Sequence, residues 1–491
     1  MKKLRRAVCA ALTAAVLLGG VTATAAGKTA SASRQRILVD GSGVEAQAYA
    51  VGGYNYFRLQ DLAAMLSETE ARFSLHFDEN AKTVAATTGA AYTPAGDELT
   101  LGEDGAVTCV ESDWKLLVDG AEIPVESYEI GGSLYFRLRT AASALGFCVD
   151  YDEKEDSVVI RSAAASVLSF ADMNYEGTSG EGYTLYSDIP YVPNAVSLQK
   201  LDIYVPDGEA PEGGWPVFFY IHGGGFKQGD KAKAGNELNV GLAALREGFA
   251  LVSVNYRLSG TDVAPAQAAD VKAAVRYIRA NADNLGFNPE IFGAFAPSAG
   301  GNLTALLAYS AGDPAFEPYL KAMGAADASD DIQAVALMHP CLTIPTLQGH
   351  WDWLCGDSDA FNERYAGYMD KRDFYADKGN RNKFNASCPE ALVLGGAIEE
   401  HLPLAELVNS LNYVDAGDPP TLLRHGDLDE TVPFPQSIDL ADKLTEAGVE
   451  VDFALVEGAE HGALFNFFQV YDGGEIVTWM AETLGVGAAG N

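Results

Sequence analysis

From Leu201 onward, short apolar runs alternate with amphipathic stretches. The runs are "VFFYI" (217–221), "ALVSVNY" (250–256), "IFGAF" (291–295), "AVALMH" (334–339), "TLLRH" (421–425) and "VDFALV" (451–456). Between them lie segments with helical apolar spacing, such as "PAQAADVKAAVRYIRANA" (265–282). A strand with no polar face is buried on both sides. The pattern therefore predicts an α/β class, a doubly wound, mostly parallel sheet covered by helices. Sites in such sheets lie at the carboxyl ends of the strands.

The N-terminal third reads differently. "ILVDGSGVEAQAYAVGGYNYFRLQDLAAML" (37–66) and "LLVDGAEIPVESYEIGGSLYFRLRTAASAL" (116–145) match without a gap. Asp40 maps to Asp119, Tyr49 to Tyr128 and Gly52 to Gly131, each 79 positions on. Each copy has alternating runs around a Gly-Gly turn, as in a hairpin, followed by a helical run. "FDEN" (77–80) and "YDEK" (151–154) close the two copies. The expectation is a small α+β two-repeat domain over residues 35–162, then a Ser-, Gly- and Tyr-rich linker over 163–184.

Charge narrows the partners. The 491 residues hold 68 Asp plus Glu against 33 Lys plus Arg, a net −35. That acidity disfavours nucleic acid and anionic membrane surfaces. Residues 1–26 read as a secretory signal peptide: Lys2, Lys3, Arg5 and Arg6, a short apolar core, then "TATAAG" for cleavage. The expected location is extracellular, with cell-surface association left open and no membrane contact after cleavage. Beyond Cys9, five cysteines follow no metal or redox spacing. A Cys355–Cys388 bridge is left open, with free thiols as the alternative.

The chemistry gathers on strand ends. Ser298 in "FAPSAGGN" lies between a strand run and a helical run, the setting in which a bend presents a nucleophile. Ala296-Pro297 stands where such a motif has a glycine two residues before the serine. "HGGGF" (222–226) follows "VFFYI", and its backbone N–H groups can face a developing oxyanion. Gly224 and Gly225 are the candidate donors with Ala299. After "TLLRH" comes "GDLDETVPF", with Asp429 as the candidate orienting acid and Asp427 as the alternative. After "VDFALV" comes "EGAEHG", with His461 as candidate base. No cofactor or metal is implied. An aromatic insertion over about 343–400 is either a lid over the site or a packed subdomain.

Residues 35–162, through "VDG…GG…YFRL", resemble copper amine oxidase N-terminal-like stalk domains of secreted bacterial proteins. The resemblance implies a spacer or an attachment module for cell wall or glycan; the lone His76 supplies no copper site. Residues 185–488 resemble α/β-hydrolases of the esterase/lipase group that includes bifunctional feruloyl and acetyl esterases. The motifs are "LDIYVPDG", "YIHGGGFKQGD", "VSVNYRLS", "SAGGNLTAL", "DPPTLLRHGDLDETVPFPQS" and "GAEHG". This resemblance implies Ser298 as nucleophile, His461 as base, Asp429 as acid, and an oxyanion hole from Gly224, Gly225 and Ala299. It also implies small ester or polysaccharide-ester substrates. "NYRLS" and Asp270 are read as structural. Two rivals remain: an exopeptidase of the prolyl-oligopeptidase type, and a non-catalytic surface binding protein with a decayed hydrolase domain.

Overall fold

The computed structural model describes residues 28–486, apart from 34, 103–104, 153–154, 165–174, 233–235, 379–387 and 462–472. The signal peptide expected over 1–26 therefore lies outside the described residues. Two compact units emerge. The first comprises residues up to Ser169 with Val192–Ala195 and Pro314–Ala326, and the second holds the remainder. Among the described residues no helix is long and apolar enough to cross a membrane.

In the first unit the first repeat contributes β2 (Arg36–Val39), β3 (Ser42–Val44), β4 (Ala48–Val51), β5 (Tyr54–Phe57), α1 (Leu59–Leu66), β6 (Phe73–Asp78) and β7 (Thr83–Thr88), after β1 (Lys28–Ala32). The second repeats the order: β9 (Lys115–Val118), β10 (Ala121–Ile123), β11 (Ser127–Ile130), β12 (Ser133–Arg137), α2 (Leu138–Leu145), β13 (Phe147–Asp152) and β14 (Ser157–Ala164), after β8 (Ala106–Glu111). Strands β1, β4, β5, β12, β11 and β8 close a six-stranded barrel. Asp40-Gly41 and Asp119-Gly120 form two-residue hairpin turns with φ positive at both positions, which match the twist of the strands they join.

The two copies interlock. The last strand of each pairs in parallel with the first strand of the other, β7 with β9 and β14 with β2. Asp119 accepts from the backbone N–H and hydroxyl of Thr88, at 3.0 and 2.8 Å. Asp40 does the same for Ser162, at 2.9 and 2.6 Å. In the barrel, Tyr49 meets Tyr135 edge-on at 5.1 Å, and Tyr128 meets Tyr56 at 5.2 Å.

The second unit is built on a nine-stranded sheet of β15 (Thr178–Ser179), β16 (Tyr183–Pro190), β17 (Lys200–Pro206), β18 (Trp215–Ile221), β19 (Ala250–Val254), β20 (Phe287–Pro297), β21 (Ala334–Met338), β22 (Thr421–Gly426) and β23 (Val451–Val456). Its order is β15-β16-β17-β19-β18-β20-β21-β22-β23. The strands from β19 to β23 pair in parallel, and the β15–β17 edge is antiparallel. The sheet thus begins inside the segment read as a linker, at Thr178.

Helices α3 (Asn236–Arg246), α4 (Ala266–Ala280) and α5 (Ser298–Tyr309) follow β18, β19 and β20. Phe218, Tyr220, Phe295, Ala336 and Met338 pack with Val240 and Ala244 of α3, and with Ile476 and Met480 of the C-terminal helix Gly473–Leu484. Residues of the other parity serve a different set of contacts. Phe219 meets Phe292, and the α4 guanidinium of Arg279 lies 4.3 Å from the Phe292 ring. This parity accounts for the absence of a polar face in the strand sequences.

Within the inserted segment Trp351, Trp353, Tyr365 and Tyr375 are all buried, in one cluster with Phe434 and Ile438. The insertion is thus packed through these rings onto the segment after β22 and onto Phe453 and Leu455 of β23. All five described cysteines are free, so the Cys355–Cys388 bridge is absent. Cys388 instead caps the helix Pro389–Leu394, its sulfur accepting from the Ala391 N–H.

Candidate active site

Four strand ends supply the candidate residues. Ser298 begins α5 directly after β20, with φ of +53°. A non-glycine residue in this left-handed region carries about 1–3 kcal/mol of strain, held by the strand and helix on either side. A Cβ at Gly300 would come within 2.4 Å of the Ile221 carbonyl oxygen, so only glycine lets the helix approach β18 here. Ala296 is fully buried and is not among the residues with positive φ. The strained geometry thus falls on the serine, and position 296 demands smallness rather than glycine.

The loop after β18 flanks the serine. A Cβ on Gly223 would sit 3.3 Å from the Ser298 Cβ. His222 anchors this loop: its ring stacks on Tyr256 at 4.3 Å, and the Tyr256 hydroxyl donates to the His222 carbonyl at 2.9 Å. Gly224 and Gly225 follow in the same loop, and Ala299 lies in the first turn of α5.

His461 lies beyond β23. Its loop is tied to the loop after β22: the Leu428 N–H donates to Ala459, and the Asp427 N–H to Val456. His461 Nε2 lies 3.1 Å from Ser298 Oγ, and its Nδ1 lies 2.7 Å from Asp429 Oδ2. Asp429 is fully buried, and its other oxygen accepts the N–H groups of Thr431 and Val432, both at 2.8 Å. Burial opposes its ionisation, but the charge of His461 and the hydrogen bonds of both His425 and His461 hold the carboxyl well below the usual carboxylate range. Asp427, the alternative acid, is engaged elsewhere: it accepts from Lys371 Nζ at 2.8 Å and from the Gly458 N–H at 2.7 Å.

Three further residues support the site, and only His425 lies within a hydrolase motif, "DPPTLLRHGDLDETVPFPQS". Tyr375, from the insertion, donates from its hydroxyl toward the Asp427 carbonyl at 2.9 Å and the Asp429 carbonyl at 3.2 Å. His339, at the end of β21, lies with its ring 4.3 Å from that of His461. Burial, then the neighbouring His461, keeps His339 neutral by pushing its pKa well below the usual imidazole value. His425 packs beneath the acid, bonded to Ser437 and Val432 and 3.2 Å from Asp429 Oδ2. The signal that could have found His339 is its place, one residue past an apolar strand.

Ligating atoms of His339, Asp429 and His461 lie within 4.8 Å of one another, near enough for a metal ion. Both ring nitrogens of His461 are already engaged, however, one with Ser298 and one with Asp429. The arrangement fits proton transfer between serine and carboxylate better than metal ligation.

The BD-FAE family matches residues 201–346 and 366–444. Esterase LipQ of Mycobacterium tuberculosis (strain ATCC 25618 / H37Rv) is 29% identical over 276 residues, 56% of each chain. Esterase LipC of the same strain is 26% identical, covering 59% of this chain and 60% of its own. The chain therefore spans little more than half the length of these relatives. Among solved structures, a truncated carbohydrate esterase from gut microbiota aligns over 63% of this chain and all of its own, with TM-score 0.50 and 24% identity. A tannin acyl hydrolase in complex with ethyl gallate aligns over 64% of this chain and 98% of its own, with TM-score 0.52 and 20% identity. The second unit has an α/β-hydrolase fold.

Proposed function

We propose that the protein is an enzyme, a serine hydrolase of carboxylic esters. The observation that carries this reading is the relay from Ser298 through His461 to the buried, ionised Asp429. The esterase names of its relatives support it. In this reading His461 Nε2 takes the Ser298 proton as Oγ attacks the ester carbonyl. The N–H groups of Gly224, Gly225 and Ala299 receive the negative charge that develops on the carbonyl oxygen. The intermediate expels the alcohol, which takes the proton from His461. Water, activated by the same imidazole, then releases the acid from the acyl-enzyme. Asp429 holds the His461 tautomer and stabilises the imidazolium.

The substrates are acetyl or feruloyl esters on polysaccharide-derived molecules. The enzyme is exported, and its first unit attaches it to wall or glycan. Support comes from the basic and apolar start of the chain, the stalk-like repeats and the carbohydrate esterase among its structural neighbours.

The test is hydrolysis of 4-nitrophenyl acetate and of a 4-nitroanilide peptide by the wild type and Ser298→Ala. Ester turnover that falls by about 10³-fold or more in the variant, at unchanged melting temperature, is expected. Peptide cleavage without ester cleavage would move the exopeptidase ahead. Inertness toward both would favour the binding protein.

A further inference from the structure

The interlocked repeats can be compared position by position over their matched stretches. One half contains a cavity of about 320 Å³, lined by Gln35, Tyr54, Asn55, Arg137, Asp150 and Tyr151 among others. The volume lies at the lower end of small-molecule sites. In the sister half the first repeat's residues 35 and 55 correspond to Trp114 and Leu134, 79 positions on. The closing hairpins, β6 and β13, are offset by 74, so Tyr151 corresponds to Phe77. There Trp114 meets Phe77 edge-on at 6.2 Å, and both pack on the apolar core with Leu134. One half places a tryptophan, a leucine and a phenylalanine where the other places two amides and a tyrosine.

The arginines have diverged in step. Arg58 makes a buried two-pronged ion pair with Asp61, at 2.7 and 2.9 Å. Its counterpart is Arg137, but the position of Asp61 is taken by Thr140. The Arg137 guanidinium instead lies over the Tyr54 ring, 3.6 Å from its centre, beside the cavity. The polar lining is held in place. Asn55 donates to Gln35 at 3.0 Å, and the Tyr151 hydroxyl donates to Asp156 at 2.6 Å. The Tyr151 ring is 40% exposed at the rim. Arg137 and Arg139 share the lining with one acid, Asp150, and Asp156 stands just outside it, where it also accepts from Gln35 at 3.4 Å.

We propose that this cavity is a binding site for an oligosaccharide. Sugar hydroxyls need donors and acceptors in fixed positions, and amides beside a guanidinium and a carboxylate provide both. The apolar face of a sugar ring packs on an exposed aromatic ring, here Tyr151. This inference rests on the reading of the first unit as an attachment module, not on the ester-hydrolase reading.

The experiment is isothermal titration of the full chain with xylohexaose, cellohexaose and chitohexaose. Saturable heat with at least one of them is expected. The double variant Gln35→Trp/Asn55→Leu copies residues the sister half already accommodates. It should weaken binding by at least about tenfold, with hydrolysis of 4-nitrophenyl acetate and the melting temperature unchanged. Tyr151→Ala, at the exposed rim, gives an independent loss of affinity should the double variant fold poorly. No saturable heat from any of the three sugars overturns the proposal, as does undiminished binding in the variants, which would place the sugar elsewhere on the chain.

Discussion

Asp429 concentrates the electrostatics of the site in one side chain. Its carboxyl is buried, accepts two backbone N–H bonds and faces two imidazoles. Asp429→Asn keeps the shape but favours the wrong His461 tautomer, so kcat for 4-nitrophenyl acetate is expected to fall by about 10³- to 10⁴-fold with little change in KM. The same residue links stability to pH. Its folded pKa is depressed, so its stabilising effect is complete above the unfolded value of about 4 and is lost as pH falls through the folded value. Melting curves should show the advantage of wild type over Asp429→Asn shrinking below about pH 4. At position 296, negative φ and full burial predict that Ala296→Gly changes kcat less than about threefold and costs about 0.5–1 kcal/mol in urea unfolding. A large gain in kcat would mean that alanine had been restraining the bend.

Among the elements, the hairpin turns of the two repeats make the most exacting test. Asp40 and Asp119 each adopt positive φ before a glycine, and each fastens a strand of the opposite repeat through two hydrogen bonds. Asp40→Ala and Asp119→Ala are therefore expected to destabilise the first unit similarly, by about 1–2 kcal/mol each. Urea unfolding read out in the first unit checks this; strongly unequal costs would contradict equivalent interlocking. The Gly-Gly turn of each copy was legible because glycine reaches the positive φ that a tight turn needs; the Asp-Gly turn was not read from the sequence. Nor was the exchange of last strands. β7 and β14 are both short strands beginning with a small hydroxyl residue and Val, and nothing local says whether each returns to its own repeat or crosses to the other.

Over the whole second unit, buried charge ties distant segments together. Asp270 on α4 is completely buried and forms a two-pronged pair with Arg257, at 2.8 and 2.9 Å. It also accepts from Gln199 at 2.8 Å, so the stretch before β17 and the stretch after β19 meet on one carboxylate. Asp270→Ala leaves the largely buried Arg257 guanidinium with only Asp262 as an ionic partner and should cost about 2–4 kcal/mol. The urea midpoint is expected to drop, while kcat per folded molecule stays near wild type. A lost kcat in folded protein would place Asp270 in the chemistry instead of the scaffold.

The sequence by itself determined the α/β class, because strands buried on both faces read as mostly apolar runs without alternation. It also determined the duplication, which survives as an ungapped match, and it singled out Ser298, Asp429 and His461, because each follows an apolar strand run. Only the tertiary structure brought those three within hydrogen-bond reach, since 163 residues separate Ser298 from His461 and the sheet order alone sets neighbouring strand ends side by side. It likewise decided that Asp429 and not Asp427 meets the imidazole, that His339 and Tyr375 brace the site, and that the inserted aromatics pack on one another and on Phe434 and Ile438. Each of these depends on contacts between residues far apart in the chain, and periodicity carries no record of them.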